Sequence, residues 1–127
     1  MRPGLGVAEL RRVSALGLAH VGDAVFELMI RTRLCSSGTS TAKKLHSETV
    51  SYVSARAQAS AAARIIPMLS DEEMAVYKRG RNAHVSNVPR GSTFEEYHTA
   101  TGIEAVFGYL YLSGQTERLN ELFKLVL

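Results

Sequence analysis

The chain has 127 residues, with 15 Lys and Arg against 12 Asp and Glu for a formal charge of +3, and 46% apolar side chains. That is enough for one domain whose core needs neither disulfides nor a structural metal, and the single cysteine, Cys35, excludes a disulfide framework and a multi-cysteine zinc site. No apolar run approaches the roughly 20 residues of a membrane span, and Met1-Arg2-Pro3-Gly4 lacks the apolar core of a signal peptide, so a cytoplasmic, membrane-free protein is expected.

In chain order, residues 1–13 read as an N-terminal extension. Residues 14–35 have helix-favouring composition and stop at Ser36-Ser37-Gly38, where Gly offers a left-handed cap. A shorter helix is expected over 41–52. The Ala-rich run 54–66 follows, with Ser54 as its N-cap and Pro67 limiting its continuation. Ser70 with Glu73 forms a capping box that opens a helix to about Arg81, and Thr93 with Glu96 repeats the device for a helix running to about Ser113. Gly114 breaks that helix, and residues 115–127 form a last amphipathic helix with Leu119, Leu122, Phe123 and Val126 on one face. No segment alternates with a period of two, so the fold class is all-α.

Two of these helices carry acids in apolar surroundings. On the 14–35 helix, Leu18, Val21, Val25, Leu28 and Met29 share one side, and Phe26, Ile30 and Leu34 extend the apolar surface. Such a helix is expected to be largely buried, yet His20, Asp23, Glu27 and Arg31 form a polar stripe along it. Glu27 has Arg31 at i+4 as a salt-bridge partner. Asp23 has no such partner, although His20 lies one turn back. From Tyr97 to Thr116 the only formally charged side chain is Glu104, which shares a face with Tyr97, Thr101, Gly108 and Tyr111. Gly108 permits close approach of another helix. Two such acids, if brought together, repel and raise one pKa unless a cation lies between them. Oxygen donors without Cys or paired His point to Mg²⁺ or Mn²⁺ rather than zinc, with water and phosphate completing the shell.

The charge is also uneven. Lys78, Arg79, Arg81 and Arg90 lie in a stretch with no acid, a local +4 that exceeds the charge of the whole chain. With Gly80, Asn82, Asn87, Pro89 and Gly91 it reads as an exposed basic loop suited to phosphate. His46, His84 and His98 sit on different segments and do not form a metal triad, although His84 lies within the basic stretch. Cys35 reads as a small, at least partly buried side chain, and Tyr109 and Tyr111 as core or subunit contacts.

The stretch Ala19-His20-Val21-Gly22-Asp23-Ala24-Val25-Phe26-Glu27 resembles the signature helix of the ribonuclease III family, and Ile103-Glu104-Ala105-Val106-Phe107-Gly108-Tyr109-Leu110-Tyr111-Leu112 resembles its second acidic helix. Lys78-Arg79-Gly80-Arg81-Asn82-Ala83 and Val53-Ser54-Ala55-Arg56-Ala57-Gln58-Ala59 bring the chain closer to the Mini-ribonuclease III branch, which has the catalytic domain without a double-stranded-RNA-binding domain. The likeness covers roughly residues 14–123 in order. It implies a ribonuclease III-like helical bundle, 1–127 as a single catalytic domain, a homodimer, and one Mg²⁺-dependent site per subunit. Asp23 and Glu104 match the two acidic positions and are expected to be both catalytic and metal-holding. Two further acids of full-length ribonuclease III are Ala19 and Thr101 here, as in the Mini-III branch, which shifts ligation towards water and phosphate.

The expected reaction is in-line hydrolysis of structured, double-stranded RNA to a 5′-phosphate and a 3′-hydroxyl, with stems of 23S ribosomal RNA precursor as the favoured substrate. Lys78, Arg79, Arg81, Asn82 and Arg90 are expected to grip the RNA backbone. The competing readings are a module of the same fold that binds RNA or the ribosome without cutting, and a helical interaction protein with no nucleic-acid partner. Retention of both Asp23 and Glu104 argues against each.

Overall fold

Hydroxyl caps set most of the helix starts. In a computed structural model that describes residues 4–38, 41–83 and 93–127, Ser14 opens α2 (Ala15–Ser36), Thr41 opens α3 (Ala42–Val53) and Ser54 opens α4 (Ala55–Ile65). Each side chain accepts a backbone N–H three residues on, at 2.9, 3.2 and 3.2 Å respectively. The two expected capping boxes are both formed: Ser70–Glu73 starts α5 (Asp71–Arg81) and Thr93–Glu96 starts α6 (Phe94–Leu112). A 3₁₀ turn over Ile66–Met68 follows α4 at Pro67, and Gly114, at φ +75°, ends α6 before α7 (Thr116–Phe123).

The bundle is organised around α6, which buries Ala100–Ile103, Ala105–Gly108 and Leu110 and is covered by α2, α4 and α5. Phe26 of α2 meets Phe107 of α6 edge-on at 5.4 Å between centroids and Phe123 of α7 at 6.4 Å. Ile30, Ile65, Ile103, Leu110 and Leu122 fill the rest of the centre. The α7 end is tied by Arg118, whose guanidinium pairs with buried Glu73 at 2.9 Å and donates to the Met68 carbonyl at 2.6 Å. Tyr109 donates to a Glu72 carboxylate oxygen across the α5–α6 contact, and burial followed by that carboxylate pushes its phenol up to about 12.

Three expectations change, and the N-terminal extension gains structure. The N-terminal extension contains a short helix, α1 (Val7–Arg11), and Leu5 N–H donates to the Leu112 carbonyl at 2.6 Å, docking it on the end of α6. The last helix stops at Phe123: the Leu125 and Val126 N–H groups turn to the carbonyls three residues back at 3.0 and 2.9 Å, Arg64 Nε donates to the Leu125 carbonyl at 2.7 Å, and Val126 still packs inward. Lys78–Arg81 is the final turn of α5, as the helix expected to about Arg81 requires, so the exposed-loop reading of the basic stretch fails over these residues, and Gly80 is buried there against Gly102 and Ala105. Finally, α2 is not enclosed all round: Leu28 is 53% exposed and Leu16 is exposed, so the Val21–Leu28–Met29 side faces outward in the single chain.

Candidate active site

The site is built at the crossing of α2 and α6. Two glycines let the backbones touch: a Cβ on Gly22 would lie 1.6 Å from the Glu104 carbonyl oxygen, and one on Gly108 would lie 1.9 Å from that of Leu18. No side chain fits at either position. The residue after Gly22 is Asp23, and the carbonyl that Gly22 approaches belongs to Glu104, so this crossing brings the two acids near enough for each to feel the other's charge.

The pair is asymmetric. Asp23 is exposed, whereas Glu104 is half-buried. Burial first, then the adjoining Asp23 carboxylate, pushes the Glu104 carboxyl up to about 9. Opposing this, Gln58 of α4 places Nε2 3.4 Å from Glu104 Oε2. Gln58 is only 2% exposed, and its Nε2 also donates to the Val53 carbonyl at 3.0 Å. Among the described residues no third Asp, Glu, His or Cys completes a metal-ligating cluster.

The neighbouring candidates separate cleanly. Glu27 pairs with Arg31 at 2.8 Å, as its spacing predicts. His20 is exposed, and among the described residues no hydrogen bond or ion pair joins it to Asp23. Thr101 is buried and donates to the Tyr97 carbonyl at 2.9 Å, which is a helix-internal bond. His98 Nδ1 faces the Arg81 carbonyl at 3.0 Å with Phe94 against its ring at 4.1 Å. Cys35 is exposed, contrary to expectation, because α2 turns that position outward near its end.

Lys78, Arg79 and Arg81 project from the last turn of α5, and Asn82 is the exposed C-cap. A Cβ on Gly80 would meet that of Ala105 at 2.6 Å, so this turn is seated beside the residue that follows Glu104. The three cations are exposed on a turn that helix packing fixes against α6. Arg81 also sits 5.8 Å over the Tyr77 ring and donates from Nε to Asn82 Oδ1 at 3.3 Å. Arg90 and His84 lie outside the described residues.

The chain matches the Ribonuclease III domain over residues 16–115. It is 45% identical over 113 residues to a Mini-ribonuclease 3 of Thermoanaerobacter, covering 89% of this chain and 80% of that protein. It belongs to the Mini-ribonuclease 3 group of the ribonuclease III family. A second Mini-ribonuclease 3, from Clostridium tetani, is 42% identical over 120 residues, covering 94% of this chain and 80% of that protein. A crystal structure of a Fusobacterium nucleatum protein superposes with a TM-score of 0.85 at 32% identity, covering 93% and 94% of the two chains. By this membership the protein is an endoribonuclease, and the non-enzymatic readings fall away.

Gln58 is the residue beside the acid pair of this Mini-ribonuclease 3 that residue typing passes over. It stands within one of the branch motifs, in a helix otherwise rich in Ala. The available signal was an uncharged but polar side chain on the face that α4 buries with Ala61, Ala62 and Ile65.

Proposed function

We propose that this Mini-ribonuclease 3 hydrolyses phosphodiester bonds in double-stranded regions of structured RNA at a site where Asp23 and Glu104 hold Mg²⁺, leaving 5′-phosphate and 3′-hydroxyl ends. The observation that carries the reading is the close crossing at Gly22 and Gly108, which brings Asp23 and half-buried Glu104 together so that burial and the Asp23 carboxylate push the Glu104 carboxyl up. Such a pair fits a divalent cation, which removes the repulsion, and its all-oxygen donor set suits Mg²⁺ or Mn²⁺. When bound, Mg²⁺ supplies neutralisation of charge on the scissile phosphate and a more acidic water.

The residues of the chain divide the remaining work. Glu104 presents its carboxylate from the interior, and Asp23 presents its own from the solvent side, so the reacting phosphate meets the pair at the surface. Neither acid is required as the general base. Lys78, Arg79, Arg81 and Asn82 take backbone phosphates beside the site, joined by Arg90. Because the A-form major groove is too narrow for side chains, recognition rests on phosphates, shape and 2′-hydroxyls.

The working form is a homodimer. The outward apolar side of α2, with exposed Leu28 and half-buried Val21 and Met29, borders a groove of about 540 Å³ shared with Tyr111 and Leu119. A second copy of the same face is its natural cover. The whole chain serves as one catalytic domain in the cytoplasm, and the double-stranded processing stems of 23S ribosomal RNA precursor are the favoured substrate. The test is cleavage of a labelled RNA duplex in Mg²⁺ or EDTA. Asp23→Asn and Glu104→Gln should each lower the rate about a hundredfold or more, the scale on which loss of one group of an electrostatic clamp acts. Cutting in EDTA, or full activity in both variants, would refute the mechanism.

A further inference from the structure

Among the polar side chains around the paired acids, Gln58 has the least conventional bonding. Its Nε2 faces the Val53 carbonyl at 3.0 Å and Glu104 Oε2 at 3.4 Å. The Val53 carbonyl can only accept, so the amide must turn its two N–H groups to that side, where Glu104 Oε2 also lies. Its Oε1 is thereby left buried with no hydrogen-bond donor in the protein. Burying an amide oxygen in this way is unfavourable, and a Leu or Met of similar length avoids it altogether. A role confined to closing the α3–α4 junction needs one N–H, directed at Val53.

We propose that Gln58 is a positioning residue for Glu104: its amide, locked in orientation by the Val53 carbonyl, donates its second N–H to Glu104 Oε2 and so holds that carboxyl group turned to bind a divalent cation with Asp23. This rests on the metal-holding role proposed for Asp23 and Glu104. The arrangement has the logic of metal sites generally, in which a ligating carboxylate is itself hydrogen-bonded and outer partners fix its orientation. It also explains why α4, which contributes no acid, packs along the acid-bearing helix. Gln58 touches neither the reacting atoms nor the RNA. It acts through Glu104.

The experiment compares the full chain with Gln58→Leu, Gln58→Met and Glu104→Gln. Three quantities are read: Mn²⁺ affinity of the RNA-free protein by electron paramagnetic resonance, the Mg²⁺ concentration for half-maximal cleavage of an RNA duplex, and the thermal midpoint in EDTA. Gln58→Leu and Gln58→Met should each weaken Mn²⁺ binding and raise the Mg²⁺ requirement about tenfold, as loss of an outer partner does elsewhere. Cleavage should return towards the wild-type rate at high Mg²⁺, with KM for RNA unchanged. A merely structural role lowers the thermal midpoint but leaves both metal dependences in place, and that result overturns the proposal. Carrying two variants keeps the test decisive if one fails to fold. If Glu104→Gln itself keeps wild-type Mn²⁺ affinity, the metal-holding reading fails; if only the Gln58 variants keep it, the positioning role fails alone.

Discussion

Replacing Gly22 with Ala tests whether the close crossing of α2 and α6 sets both the fold and the site. The new Cβ would stand 1.6 Å from the Glu104 carbonyl oxygen, and reaching even the 3.0 Å limit of real Cβ contacts requires the helices to part by about 1.4 Å. The obstacle is backbone, which cannot rotate away. Overpacking a core typically costs about 1–3 kcal/mol, and here the upper end applies because a whole helix must move. Ala gains about 1 kcal/mol over Gly in a helix interior, so the net loss should be about 2 kcal/mol or more. At this chain length that corresponds to a fall of about 8 °C in the thermal midpoint. Gly108→Ala, whose Cβ meets the Leu18 carbonyl at 1.9 Å, should behave alike. Gly17→Ala is the control: its Cβ meets only the Ser14 and Val13 side chains at 3.1 Å, so its effect should stay within about 1 kcal/mol. Urea unfolding followed by circular dichroism measures all three. If Gly22→Ala and Gly108→Ala are as stable as Gly17→Ala, the crossing is not what holds the two helices, and the reasoning is wrong.

The Glu73–Arg118 pair gives a pH prediction. Hydrogen bonding to Arg118 is the main cause that holds the Glu73 carboxyl below its ordinary 4.5, so its contribution is present above 4.5 and lost as pH falls through the lower folded value. Stability should drop across that acid window, and Glu73→Gln should lose about 2 kcal/mol at pH 7 while flattening the drop, a comparison made by urea melts from pH 3 to 7. For the basic turn, Lys78→Ala, Arg79→Ala and Arg81→Ala should weaken RNA binding uniformly across sequences and each reduce the slope of log affinity against log salt by about 1; filter binding at several salt concentrations decides it, and unchanged slopes would remove these side chains from the interface. Leu28→Glu should convert a dimer to monomers in sedimentation equilibrium without lowering helicity, because Leu28 is exposed in the single chain; a dimer that survives the added charge is held by another face.

Local signals were strong in this sequence because they involve neighbours a few residues apart. Ser14, Thr41, Ser54, the Ser70–Glu73 box and the Thr93–Glu96 box all cap helices that start where those residues predict. The Glu27–Arg31 pair is of the same kind. Errors arose where a long-range contact overrode local chemistry. Gly80 looks like a loop residue among Lys and Arg, yet it is glycine because α5 must lie against Gly102 and Ala105. The apolar surface of α2 predicts full burial, but apolar content carries no information on whether the cover comes from the same chain. Gln58 escaped notice because its importance depends on Glu104, 46 residues away, and on a carbonyl orientation at the end of α3.

The juxtaposition of Asp23 and Glu104 was legible only as a conditional: two acids on apolar helices gain a common purpose if the helices meet. The glycines supply the missing condition. Gly22 precedes Asp23, and Gly108 lies one turn beyond Glu104, so the two contacts bracket the acids and leave little freedom in their relative height or rotation. A pair of carboxylates cannot assemble itself, since each repels the other. The packing of Phe26, Ile30, Ile103, Phe107 and Leu110 along the same two helices holds the acids together, and the strain of that placement shows as the raised pKa of the Glu104 carboxyl. On the metal-holding reading proposed for Asp23 and Glu104, stability and metal affinity are coupled through one crossing: substitutions that loosen it should weaken both, whereas Gln58→Leu should weaken metal binding alone.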